Sequence, residues 1–212
     1  LKEDGTIWSV GLNDDGQLGI GNNIEQTNFV QVGSDTDWAK VYAAGDYSIA
    51  IKQDGTLWAW GDVANNGSSF NIPTQFGPDT DWSLVSTAWS HFLALKQDGT
   101  LWAFGNGTSG QLGLGDFSTR VALIQVGSDN DWVDISANGA HSAAIKSDGS
   151  LWTWGFNSTG QLGLGDTENR NEPIRVGTSN DWEKVKCGGG HTIAVDKSGQ
   201  LWSWGANNLG QL

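Results

Sequence analysis

The chain has 212 residues, with 24 acidic against 11 basic side chains (formal net charge −13), 31 glycines, 13 tryptophans, three prolines, one cysteine and no methionine. Glycine stands at about twice its usual share, yet the scarcity of proline and the lack of a Gly-X-Y period exclude collagen and proline-rich disorder. The negative charge, with lysine and arginine scattered singly, excludes nucleic acid as a direct partner, and no apolar run reaches the roughly 18 residues of a membrane helix, so no membrane insertion is expected.

In chain order, Asp4-Gly5 predicts a hairpin turn feeding a strand through Ile7 and Trp8. A glycine-rich loop follows over Asn13 to Asn22, and Asp35-Thr36-Asp37-Trp38 opens a further strand. Ser48 to Lys52, the turn Gln53 to Thr56, and Leu57-Trp58-Ala59-Trp60 then read as a complete hairpin, with Leu57 and Ala59 on one side and the two indoles on the other. The succession recurs. The turn motif returns at Asp54, Asp98, Asp148 and, as Ser-Gly-Gln-Leu-Trp, at Ser198, with spacings from Asp4 of 50, 44, 50 and 50. The Asp-Trp pair returns at Trp82, Trp132 and Trp182, and the Gly-Gln-Leu-Gly loop at Gly110 and Gly160. Two markers sharing one period establish an internal repeat, and no window shows helical spacing, so an all-β chain is expected. The second copy is six residues short and carries Asp62 to Phe70 where the others have Gly-Gln-Leu-Gly.

Four-stranded copies of 40 to 50 residues with aromatic and glycine markers suggest a β-propeller. The stretches Trp152 to Asp166 and Gly188 to Val195 resemble the repeat of the RCC1-like (regulator of chromosome condensation) family, over the whole chain and in its bacterial or extracellular style. That resemblance implies propeller blades, seven in the best-known members. One repeat domain over 1–212 is expected, with copies at about 1–50, 51–94, 95–144 and 145–194 and a partial copy at 195–212. Since 1–18 and 195–212 share a phase, the reading is an arc of just over four blades from a larger propeller, or an open array that associates with itself or with the remainder of the propeller through its edges. Leu1 points to a mature form or a piece of a longer chain.

Candidate functional residues are few. His91, His141 and His191 each follow an Asp-Trp tryptophan by nine residues, and Tyr47 holds the matching place after Trp38. Equivalent residues on successive blades cannot converge on one ion, so these histidines read as buried and hydrogen-bonded to backbone, structural like Trp58, Trp102, Trp152 and Trp202. The alternating acids Asp35, Asp37, Asp129 and Asp131 suit calcium in residue type, but no EF-hand continuation follows and Asn180 breaks the pattern, so a solvated loop is the preferred reading. The glycine loops lack the lysine and helix of a phosphate site, and Leu18, Leu112 and Leu162 are expected to plug inward. No catalytic motif, metal or cofactor is indicated, and Cys187 has no second cysteine to pair with.

Departures from the repeat carry the functional reading. Trp89 replaces a bend glycine, Phe70 lies in the shortened copy, and Phe117 and Phe156 are aromatic where other copies have residues such as Thr167 and Ala206. Aromatics on loop rims suit partner binding, while neutral drift of the loops is the plainer alternative. The expected function is a non-enzymatic interaction module of an extracellular or cell-surface protein, binding a protein or glycan; a cytoplasmic setting stays open. The alternative implied by the resemblance is a guanine-nucleotide exchange factor or enzyme inhibitor, though no copy exceeds the 50-residue period to hold a wedge insertion.

Overall fold

The structure, a computed structural model, describes residues 1–63 and 69–212. Ala64 to Ser68, the middle of the shortened loop singled out above, lie outside the described residues. The described residues form strands and turns without a helix. The strands are β1 (Trp8–Gly11), β2 (Gln26–Gln31), β3 (Trp38–Ala43), β4 (Tyr47–Lys52), β5 (Leu57–Gly61), β6 (Phe70–Gln75), β7 (Trp82–Thr87), β8 (His91–Lys96), β9 (Leu101–Gly105), β10 (Arg120–Gln125), β11 (Trp132–Asn138), β12 (His141–Lys146), β13 (Leu151–Gly155), β14 (Arg170–Arg175), β15 (Trp182–Cys187), β16 (His191–Asp196) and β17 (Leu201–Gly205).

They pair as antiparallel blade-like sheets, and the chain divides into two compact units, Leu1–Val85 and Ser86–Leu212. The N-terminal unit holds the pair β1-β2 and the four-stranded sheet β3-β4-β5-β6. The C-terminal unit holds β11-β12-β13-β14 and β15-β16-β17, and the remaining sheet, β10-β9-β8-β7, starts on the strand that crosses the division.

Local chemistry explains the hairpins. In the second copy the Gly55 N–H donates to Lys52 O (3.0 Å) and the Lys52 N–H to Thr56 O (3.1 Å), which closes a three-residue loop. Gly55 takes φ +80 at its third position, the left-handed value that such loops require and that glycine adopts without strain. Ile51 then faces Leu57 and Ser48 faces Trp60 across the ladder.

The burial pattern departs from simple alternation. Along β12 and β13 nearly every residue is buried, because both faces of the sheet are covered. A core within the N-terminal unit joins its two sheets through Ile7, Val32, Trp38, Ala50 and Trp60. A core within the C-terminal unit joins the β11–β14 and β15–β17 sheets through Ala143, Ile145, Leu151, Val185 and Ala194. Leu18, Leu112 and Leu162 point inward as expected.

Candidate interaction edge

Each sheet has two ends. One end carries the Asp-Gly turns and the Asp-Trp pairs, and its chemistry is closed upon itself. Asp54 Oδ1 accepts from the Thr56 N–H (2.9 Å) and hydroxyl (2.7 Å), and Thr56 Oγ1 accepts from Trp58 Nε1 (2.8 Å). The same relay runs Asp4–Thr6–Trp8, Asp98–Thr100–Trp102 and Asp148–Ser150–Trp152. These bonds hold each carboxyl below the usual carboxylate range, the Thr or Ser N–H and hydroxyl being the main cause.

Beside the relay sits a lysine. Lys52 Nζ lies 2.7 Å from Asp35 and 3.1 Å from Asp37, above the rings of Trp38 (4.8 Å) and Trp58 (4.6 Å). Lys146 repeats this with Asp129 (2.6 Å), Asp131 (3.0 Å), Trp132 and Trp152. The acids weighed for calcium therefore flank an ammonium, which supplies the positive charge at that point. Among the described residues no group of three or more His, Cys, Asp or Glu side chains is arranged to hold a metal. Four of the lysines are not scattered: Lys2, Lys52, Lys96 and Lys146 follow the repeat period, which marks the position as part of the repeat without disclosing its partners. At the fifth place the residue is Asp196, which accepts directly from Trp202 Nε1 (3.0 Å) and from the Ser198 hydroxyl, and is held at about 2. Carboxylate thus replaces both the lysine and the turn aspartate, in the copy where Ser179, and not Asn180 as read above, stands in place of the first loop acid.

At the opposite end, successive sheets are latched by the glycine-rich loops. Gln111 O accepts from the Ser142 hydroxyl (2.8 Å) and from Trp154 Nε1 (2.9 Å), both of the following sheet. Gln161 O accepts likewise from Thr192 (2.7 Å) and Trp204 (2.9 Å), and Gln17 O from Ser48 (3.0 Å) and Trp60 (2.8 Å). His91 Nε2 and His141 Nε2 lie 3.0 Å from the Ser142 and Thr192 hydroxyls. Since each hydroxyl donates to the glutamine carbonyl, it accepts from Nε2–H, which assigns the tautomer from the network. His91 and His141 thus reach a side-chain hydroxyl of the following copy through Nε2, a partner that the sequence does not disclose. His91 and His141 are buried, and burial drives them down to about 3 and about 4, so both are neutral at physiological pH. His191 is half-buried.

The repeat departs from this scheme once. The copy without Gly-Gln-Leu-Gly is followed by the copy in which the hydroxyl and indole positions are Phe92 and Phe104. Neither ring has a donor, and the two stack with centroids 5.1 Å apart.

The tryptophans divide by depth. Trp60 and Trp154 are fully buried, Trp38, Trp82 and Trp132 are buried, and Trp58, Trp102 and Trp152 are half-buried; Trp58 and Trp152 meet the Asp-Trp indoles edge-on, at 5.7 Å for Trp38–Trp58 and 6.0 Å for Trp132–Trp152. Trp202 is exposed. A groove of about 390 Å³ lined by Gly113, Arg120, Ile124, Trp132, Trp152 and Pro173 has a counterpart of about 300 Å³ at Gly19, Val32, Trp38, Trp58, Ile72 and Pro73. Its recurrence at equivalent residues marks it as a product of the repeat.

What the repeat does not explain lies on the latch end. Trp89, in the bend before β8, is 65% exposed; Phe117, Phe156 and Phe70 are exposed as well. Phe156 follows β13 and its N–H donates to Ala140 O (2.9 Å), which ties it to the bend between β11 and β12. Phe117 lies in the loop before β10, and Phe70 opens β6 in the N-terminal unit. In the C-terminal unit two arginines near this end pair with loop acids: Arg120 with Asp116 (2.5 Å) and Arg170 with Asp166 (2.6 Å). Cys187, by contrast, is buried with its Sγ 3.3 Å from Ser136 O, and burial pushes its thiol up to about 12, so it is no nucleophile.

These sheets, with indole and glycine markers at fixed period and polar latches between successive copies, define a repeat protein of propeller blades. A family model for the RCC1-like domain matches residues 1–212, and the chain belongs to that family. Its fold is similar to that of human WBSCR16 (22% identity, TM-score 0.81, covering 97% of this chain and 58% of that one). It is similar also to Prp20p from Saccharomyces cerevisiae, described with its binding properties to Gsp1p and histones (23%, 0.84, 99% and 55%), and to yeast RCC1 (Prp20) bound to Kap60 (22%, 0.84, 98% and 53%). The chain spans just over half the length of these solved structures. No curated protein sequence matches it.

Proposed function

We propose that the chain is a non-catalytic interaction module that docks a protein partner on the latch end of its C-terminal unit, with Trp89 as anchor. One observation carries this reading. Twelve of the 13 tryptophans occupy repeat positions, whereas Trp89 stands where the other copies have Gly45, Gly139 and Gly189 and presents its indole to solvent. An exposed indole outside the repeat, in a unit that also exposes Phe117 and Phe156, has the composition of a recognition surface. Solved relatives described as bound to, or binding, other proteins support a protein as the class of partner. A glycan is the other partner such chemistry admits, and we place the module on an extracellular or cell-surface protein from the style of its repeats.

The Trp89→Gly chain is expected to keep the wild-type urea midpoint while its affinity for the partner falls about thirtyfold, the loss typical of a hot-spot residue. Equal affinity of both chains would remove Trp89 from the function. A nucleotide-release assay across small GTPases separates the exchange-factor reading, which predicts acceleration that the interaction module does not.

A further inference from the structure

Three Asn-Gly dipeptides occur, at Asn66, Asn106 and Asn138; the first lies outside the described residues. The other two differ in their surroundings. Asn106 Oδ1 is held forward by the Thr108 N–H (2.9 Å) and hydroxyl (2.7 Å), with Gln111 Nε2 at 3.4 Å, and Gly107 is buried so tightly that a Cβ there would collide with Ser118 O. Asn138 is exposed at the end of β11, where it faces His141 across a two-residue turn. Its own Oδ1 accepts from the Gly139 N–H at 2.7 Å, which brings the backbone nitrogen of Gly139 against the side-chain amide of Asn138. Gly139 takes φ +53 and has no side chain to obstruct the approach.

We propose that Asn138 is a site of spontaneous modification, losing its amide through a succinimide formed with Gly139. The Gly139 nitrogen, its proton taken by solvent base, attacks Asn138 Cγ. The N–Cγ bond forms, the Cγ–Nδ2 bond breaks, and Nδ2 takes a proton from solvent and leaves as ammonia. Water then opens the ring at either carbonyl, giving aspartate or isoaspartate with no change of oxidation state. Holding nucleophile and electrophile together is the condition that speeds such a cyclisation. Asn106 has the same dipeptide, but its carbonyl accepts from the N–H and hydroxyl of Thr108, one residue beyond the glycine nitrogen that would have to attack.

The product changes the latch end. A carboxylate arises beside the bend that holds Phe156. The isoaspartyl form also lengthens the backbone at Gly139, which packs so closely on the Gly189 carbonyl of the following sheet that a Cβ would collide with it.

The test is peptide mapping with isoaspartate detection on the full chain, aged in mildly alkaline buffer either folded or in urea. In the folded chain Asn138 is expected to convert about tenfold faster than Asn106. In urea the two rates should converge, because the dipeptides are identical. Conversion of Asn106 at an equal or higher rate in the folded chain, or one unchanged ratio in both states, would overturn the proposal.

Discussion

The turn motif Asp-Gly-Thr-Leu-Trp owes each letter to a separate physical demand. Gly55 supplies the left-handed φ, Asp54 accepts from the next-but-one residue, and Thr56 Oγ1 accepts from the indole of Trp58, whose lone N–H would otherwise be half-buried without a partner. The glycine and aspartate were legible from turn chemistry alone. The threonine's role was not, because it depends on where an indole two residues away is turned. The histidines give a prediction at this scale. His91 and His141 stay neutral in the fold to about 3 and about 4, whereas in the unfolded chain they take a proton below about 6.5. The unfolded state then binds more protons, so stability falls on acidification from about pH 6.5 to about pH 4, by about 1.4 kcal/mol per pH unit for each histidine. Urea titrations above pH 5, clear of the carboxylates, should show this slope, and His141→Gln should remove roughly half of it.

At the scale of elements, the glycine-rich loop is the joint between one sheet and the next. Its glutamine carbonyl accepts two donors from the following copy, and its second glycine abuts the same indole: a Cβ on Gly113 would lie 2.9 Å from Trp154 Nε1. Inward leucines and the absence of phosphate chemistry could be read from composition, but the direction of the carbonyl could not. Gly113→Ala therefore meets both a left-handed φ of +73 and a collision, while Gly165→Ala meets φ +82 with open space around it. The second change is expected to cost about 1 kcal/mol and the first about 3 kcal/mol or more, read from denaturation midpoints. Equal losses would mean that the Trp154 contact is not tight. In the copy that follows the loop lacking Gly-Gln-Leu-Gly both donor positions are phenylalanine, and Phe92 and Phe104 stack on each other.

For the whole molecule the dominant quantity is charge. At −13, self-repulsion works against compactness, whereas the ion pairs of Lys52, Arg120, Lys146 and Arg170 have partly exposed partners and each contributes at most about 1 kcal/mol. Salt screens both, and the long-range repulsion outweighs the few pairs. The urea midpoint should therefore rise between low and physiological ionic strength, and a fall would show the pairs to be the larger contribution. The all-β class, the length of each copy, the hairpins and the membership of the RCC1-like family were determined by sequence alone, because turn chemistry and strand alternation act over a few residues and recur with a period. Only the tertiary structure decided that lysines sit between the paired acids, that glutamine carbonyls receive the indoles, and that the histidines answer to hydroxyls. The latch bonds join residues 31, 43 and 51 apart, in the C-terminal unit as in Gln111–Ser142, Gln111–Trp154 and His91–Ser142. No local pattern encodes a partner at that distance; packing one sheet against the next supplies it.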